Sequence, residues 1–337
     1  MKKWIGYEKG VNLGGWLSQS SYETKHLDTF IVEEDIKQLA TWGIDHLRLP
    51  IDYEVIERIE ELGTAEGLKY IDRCIQWCQK YHLNLILDLH KVPGFSFNTV
   101  SENELFENKE LQYRYLKIWD VLAKLYGKFH EFVAFELLNE IVEKDSTRWN
   151  KLASETIRVI RQYTEKTYIV VGGIQWNSVH TLDQLNLPLD PYIVYNFHFY
   201  EPFLFTHQQA PWVELIPKEV REYPGELAEY RSVSERINAF ASGLYHPGIT
   251  VLGKEYMAAL IKMAVQAAAA VDVYLYCGEY GVIYTAPSES IVRWYQDIHA
   301  VFETYQIGRA AWTYKAMDFG ISDWYQKEIR ELVIQNL

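Results

Sequence analysis

Cysteine is scarce: of 337 residues only Cys74, Cys78 and Cys277 carry a thiol. So small and odd a count fits buried thiols in a reducing compartment rather than a disulfide-stapled fold. Cys74 and Cys78 stand four apart in a helical pattern, and no neighbouring His or Cys completes a zinc site, so no metal is expected. Long apolar runs are missing as well. No segment approaches the ~18–20 apolar residues of a membrane span, and MKKWIGYEKGVNL has two lysines without the apolar stretch of a secretory signal. The expectation is a cytoplasmic chain with no membrane partner. Positive charge is also in deficit, with 33 Lys and Arg against 46 Asp and Glu and a net charge of −13. That balance argues against sequence-independent nucleic-acid binding, which depends on attraction to phosphates. Finally, no linker, repeat or low-complexity tract divides the chain, so residues 1–337 are expected to form one domain.

Apolar material is abundant: 48% of the residues are hydrophobic and 15% aromatic, with 11 Trp and 25 Tyr. Most of these aromatics should pack in the core, and a minority could present flat faces to a sugar ring. Their arrangement is regular. Short apolar runs at Lys9–Gly14, Ile44–Pro50, Leu83–Leu89, Phe132–Leu138, Tyr168–Gly172, Ile193–Phe199, Val273–Cys277 and Arg309–Tyr314 read as strands. Helical stripes separate most of them; Leu68, Ile71, Ile75 and Cys78 form one, and Ile291, Trp294, Ile298 and Phe302 another. Eight strands and intervening helices in this length predict an α/β fold, a closed (β/α)8 TIM barrel. An open doubly wound sheet is the alternative, but GVNLGGWL after the first strand is not the G-x-G-x-x-G phosphate turn. The barrel is interrupted by a roughly fifty-residue stretch after strand six, residues 201–250, which contains Phe203, Phe205, Trp212, Tyr223 and Tyr230. A βα insertion of this kind belongs on the catalytic face, where it could wall a cleft or simply pack on the rim.

The ends of these strands carry the chemistry. Arg48 closes strand two, His90 strand three, Asn139 and Glu140 strand four, His198 and Tyr200 strand six, Glu279 strand seven and Trp312 strand eight. One polar residue at a strand end would mean little. So many on one face of a barrel mark an active site.

The same eight positions resemble glycoside hydrolase family 5, and the resemblance runs from GVNLGGW to AWTYKAMDF. The longer phrases LDTFIVEEDI, YIDRCIQWC, FELLNE, DSTRWNKL, YIVYNFHFYEPFLFTHQ and LYCGEYGVI resemble cellulases of that family. It departs at His90-Lys91, where many of those cellulases have two consecutive histidines. The resemblance implies a retaining endo-β-glucanase without cofactor, acting on β-1,4-glucan, mixed-linked glucan or cello-oligosaccharides. It implies Glu279 as nucleophile, held ionised by Arg48 and Tyr200, and Glu140 as acid/base supported by His198. Asn139 would then bond the sugar 2-hydroxyl, while His90 and Trp312 hold the sugar before the scissile bond. Trp212, in the insertion, is a further candidate for substrate binding. GVNLGGW is also similar to β-1,3-glucanases of the family, so β-1,3-glucan, mannan and β-glucosides stay open as substrates. No carbohydrate-binding or docking module is visible. Two readings compete: a metal hydrolase using His90, His198, Glu140 and Glu279, and a non-catalytic carbohydrate-binding protein on the same fold.

Overall fold

The computed structural model describes residues 1–56, 66–98, 103–241, 244, 248–323 and 327–337. Eight parallel strands close a barrel: β1 (Lys9–Asn12), β2 (His46–Asp52), β3 (Asn84–Lys91), β4 (Val133–Glu136), β5 (Ile169–Gly172), β6 (Ile193–Phe199), β7 (Tyr274–Tyr280) and β8 (Gly308–Ala311). Each predicted strand is present, with its ends moved by a few residues. Strand β8 pairs with β1 through Lys9 and Arg309, so no strand edge is left open.

Helices cover the outside because each offers an apolar stripe to the sheet. Leu68–Tyr81 buries Tyr70, Ile71, Cys74, Ile75 and Cys78, and ends where His82 turns left-handed at φ 57°. Lys109–Tyr126 starts at Asn108, whose side chain accepts from the backbone N–H groups of Glu110 and Leu111. Longer apolar faces come from Lys254–Ala270 and Ser288–Tyr305. Among the described residues no helix is long and apolar enough to cross a membrane. Between β5 and β6 only short turns occur, Ile174–Asn177 and Leu182–Gln184.

The barrel interior is layered. Trp4 stacks on Tyr7 with ring centroids 3.9 Å apart, and both pack at the N-terminal end with Ile86, Ala134, Val170, Val194, Tyr276 and Ala310. Above this apolar layer the interior turns polar. Asn12, Arg48, Asp88, Glu136 and Asn196 are all fully buried there. Strand alternation puts them on the same inward face as the residues two positions further along.

The insertion has structure of its own. A helical turn at Phe203–Thr206 is followed by the helix Leu227–Ile237, and Gly225–Glu226 pairs antiparallel with Val251–Leu252. It is tied to the segment that leaves β7: Ile283 N donates to Thr206 O at 2.9 Å, and Thr285 Oγ1 donates to Gln208 O. Arg293 Nε adds a bond to Tyr223 O at 2.8 Å.

Candidate active site

Arg48 organises the polar layer. Its Nε and Nη2 grip both oxygens of Glu136 at 2.7 and 2.9 Å, which fixes the plane of the guanidinium. So held, it sends Nη1 to Glu279 Oε1 at 2.8 Å and to Asn12 Oδ1 at 3.0 Å. Nη2 also reaches Asn139 Oδ1 at 2.8 Å and Asp88 Oδ2 at 2.9 Å. One cation thus faces three carboxyl groups, from Asp88, Glu136 and Glu279. Burial opposes so many charges, and it pushes Asp88 up to about 7 even beside Arg48.

Glu279 reaches this layer through a bulge. Phe197 pairs with Cys277 and His198 with Glu279, so Gly278 is the extra residue. A Cβ at Gly278 would stand 2.8 Å from the Asn196 amide, so only glycine lets the strand pass. Asn196 Oδ1 accepts from Gly278 N, and Asn12 Nδ2 donates to Gly278 O. The bulge turns the Glu279 carboxylate to the barrel mouth, where Tyr200 Oη donates to Oε2 at 2.9 Å. Both oxygens are therefore met by donors. Burial raises this carboxyl group's proton affinity, while the Arg48 charge and the Tyr200 hydroxyl draw it back toward the ionised form.

Glu140 follows β4 with a left-handed backbone, φ 44°, which a glutamate adopts only where its surroundings hold it. Its Oε1 lies 2.8 Å from His198 Nδ1. Burial and the nearby Glu279 charge hold Glu140 well above the usual carboxylate range. His198 is kept neutral by burial, then by the Arg48 charge and the neighbouring His90 ring. Both carboxyl groups are raised, Glu140 further than Glu279, an ordering that suits an acid beside a nucleophile. Their oxygens, with His198 Nδ1, lie within 4.8 Å of one another.

His90 Nδ1 is 2.6 Å from Asp88 Oδ2, and burial lowers the imidazole to about 4. Its ring lies parallel to Trp312, centroids 5.7 Å apart and planes within 3°. Seven of the sequence candidates (Arg48, His90, Asn139, Glu140, His198, Tyr200 and Glu279) thus join one network or stack on it, and Trp312 flanks it. Trp212 stands apart, 52% exposed and linked to the rim cluster of Trp312 and Tyr200 through Phe319, 6.5 Å away. Lys91, at the departure from a double histidine, pairs with Glu54 beside Asp52.

Glu140, His198 and Glu279 are also the group, among the described residues, whose ligand atoms could surround a metal ion. The donor set fits a cation poorly. Glu279 Oε1 already accepts from the Arg48 guanidinium, whose positive charge would oppose an incoming metal.

The cellulase model of glycosyl hydrolase family 5 matches residues 7–318. The chain belongs to glycosyl hydrolase family 5. It is 42% identical to endoglucanase C of Acetivibrio thermocellus over 99% of this chain and 98% of that protein. Cellodextrinase A of Ruminococcus flavefaciens is 38% identical over 92% of this chain and 86% of its own length. The fold matches an endoglucanase structure from Thermotoga maritima with a TM-score of 0.76, at 23% identity over 98% of this chain and 97% of that one.

Family 5 motifs led to the strand-end residues but not to those beneath them. Asn12, Asp88 and Glu136 hold Arg48, and Asn196 holds the bulge at Gly278 that brings Glu279 to the mouth. A signal was present. Asp88 stands two residues before His90, and Asn196 two before His198, each inside an apolar run and on the same face of its strand. Asn177, 3.2 Å from His198 Nε2, has no such signal, because it lies on a turn outside the strands and without a periodic pattern.

Proposed function

We propose that the protein is a retaining endo-β-glucanase that cleaves β-1,4 linkages in β-1,4-glucan, mixed-linked β-1,3-1,4-glucan and cello-oligosaccharides. The observation that carries the retaining mechanism is that one oxygen of Glu140 and one of Glu279 lie within 4.8 Å of each other. Retaining enzymes bring their carboxyl groups ~5–5.5 Å apart, whereas inverting ones leave ~6.5–9.5 Å for a water. Glu279 attacks the anomeric carbon as Glu140 gives its proton to the departing oxygen. Glu140, now ionised, takes a proton from the water that releases the sugar from Glu279. Asn139 Nδ2, buried and without a partner among the described residues, is the donor suited to the sugar 2-hydroxyl. His90 and Trp312 form the wall of the sugar site before the scissile bond. The insertion after β6, with Trp212 exposed, borders the cleft as part of the single domain 1–337.

Hydrolysis of barley mixed-linked glucan, carboxymethylcellulose, laminarin, glucomannan and short cello-oligosaccharides, each blanked with Glu279→Ala, tests the assignment. Release from mixed-linked glucan or cello-oligosaccharides supports it. Activity confined to laminarin or glucomannan would overturn the substrate, and silence on all five would overturn the enzyme.

The electrostatics add a prediction. Tyr200→Phe removes a donor from the ionised form of Glu279, so this group's proton affinity rises. The acid limb of kcat/KM should move upward by up to about one pH unit, with the alkaline limb unmoved. An acid limb that stays in place would deny the Tyr200 hydroxyl this role.

A further inference from the structure

The segment after β5 is built around three consecutive left-handed residues, Gln175, Trp176 and Asn177, with φ of 54°, 57° and 53°. Non-glycine residues rarely adopt this region once, and three in a row persist only where contacts hold them. Here Trp176 N donates to Ile141 O at 3.0 Å, joining the turn to the residue after Glu140. The turn drives the Asn177 side chain into the barrel mouth, where it is fully buried. Room for it comes from Gly172, whose Cβ would stand 2.1 Å from Asn177 Oδ1. The amide meets His198 Nε2 at 3.2 Å, on the side of the ring opposite Glu140.

We propose that Asn177 is a positioning residue that sets the tautomer of His198 and so keeps the proton of Glu140 on Oε2. This rests on the reading of Glu140 as the acid/base. A neutral imidazole donates at one nitrogen and accepts at the other. Asn177 Nδ2–H donates to Nε2, which makes Nε2 the acceptor and puts the ring proton on Nδ1. Nδ1–H then donates to Glu140 Oε1. An oxygen that accepts from Nδ1–H is not where the acid's own proton sits. The proton is left on Oε2, the oxygen His198 does not hold, free to pass to the leaving group. In the other tautomer Nδ1 would accept, draw the proton to Oε1 and bury it in a bond to the ring. The acid would then be protonated but unproductive.

The titratable and charged groups facing this pair are Glu279 of β7, 3.6 Å from His198 Nδ1, Arg48 of β2, Asp88 and His90 of β3 and Glu136 of β4, with the Tyr200 hydroxyl beside them. Asn177→Ala leaves all of them in place. Asn177→Asp keeps the shape but offers only acceptors to Nε2, which favours the opposite tautomer. The two variants therefore separate tautomer control from packing. Packing alone makes the smaller Ala the more damaging change. Tautomer control makes the isosteric Asp the worse one.

The experiment compares kcat/KM, which reports the glycosylation step, on mixed-linked glucan and on an aryl cellobioside whose phenol leaves without a proton. On glucan, Asn177→Ala should lose about tenfold and Asn177→Asp more; on the aryl cellobioside both should change by less than about twofold. The alkaline limb of Asn177→Ala should move to higher pH, because a Glu140 proton shared with Nδ1 is harder to remove. Nitrogen-15 NMR of histidine-labelled protein should find Nδ1–H at His198 in the parent and Nε2–H in Asn177→Asp. An Nε2–H parent, or equal losses on both substrates with an unmoved limb, would overturn the proposal. Glu140→Ala on the same two substrates keeps the failures apart. If it separates them and the Asn177 variants do not, only the role of Asn177 falls; if it does not, the assignment of Glu140 falls first.

Discussion

Glu279→Ala lowers turnover of β-glucan by roughly five orders of magnitude or more, while the thermal midpoint stays near that of the parent or rises. The catalytic loss follows from the proposed role of Glu279, since its removal takes away the group assigned to bond the anomeric carbon. Retained stability is less obvious for a buried ion pair, since breaking one by removing a partner often destabilises a protein. Here Arg48 keeps Glu136, Asp88, Asn12 and Asn139 as acceptors, so the guanidinium is not left uncompensated. One carboxyl group fewer also removes the charge that, after burial, holds Glu140 above the usual carboxylate range. The shortened side chain leaves space on the attacking face, and azide can enter it. With an activated β-glycoside, azide should form a bond to the anomeric carbon as the phenol leaves, giving the α-glycosyl azide after one inversion. Glu140→Ala should answer differently. It still forms the glycosyl-enzyme from substrates with good leaving groups, and azide then releases the β-glycosyl azide after two inversions. The anomeric proton coupling in each product, read by NMR, distinguishes them. The same anomer from both variants would mean that the two roles are wrongly divided.

How much of this could be read in advance varies with the physical source of each feature. Parallel strands buried on both faces demand continuous apolar runs, and such runs at Leu83–Leu89 and Ile193–Phe199 point to the barrel from sequence alone. Strand ends that must meet solvent, yet end on Arg48, His90, Glu140 and Glu279, identified the site. What was missed lies one layer down. Asp88 and Glu136 look like interruptions of apolar runs, because their partner Arg48 comes from a strand distant in sequence. The bulge at Gly278 was hidden for a related reason, since its cause is the Asn196 side chain on the neighbouring strand. Asn177 was the least legible. Its left-handed turn lies in the stretch before β6 where the sequence shows little helical pattern, and nothing local in GGIQWNS announces three positive φ values.

Arg48→Met is expected to cost about 3–5 kcal/mol of stability at neutral pH, far more than loss of a side chain of similar size from an apolar core position. Methionine fills much of the volume, so the penalty is electrostatic. The guanidinium is the cation among Asp88, Glu136 and Glu279, and all three carboxyl groups are buried. Without it they escape repulsion and desolvation only by binding protons. Their folded pKa values then lie above the ordinary unfolded value of about 4, a displacement that Asp88 already shows with Arg48 present. The folded state therefore holds protons that the unfolded chain releases, so the stability these groups allow is present below the unfolded pKa. It is lost as pH rises through the folded values. Denaturant unfolding should accordingly show a gap between parent and variant that is small at pH 5 and wide at pH 8. A gap of equal size at both would mean that packing, not charge, is what Arg48 supplies. Glu136→Gln in the Arg48→Met background sharpens the test, because it removes one of the three charges without emptying the layer. Recovery of stability at pH 8, with little change at pH 5, follows only if the polar layer is held together by one cation balancing carboxylates. Arg48 also draws Glu279 toward its ionised form against burial, so Arg48→Met should lose turnover even where it remains folded.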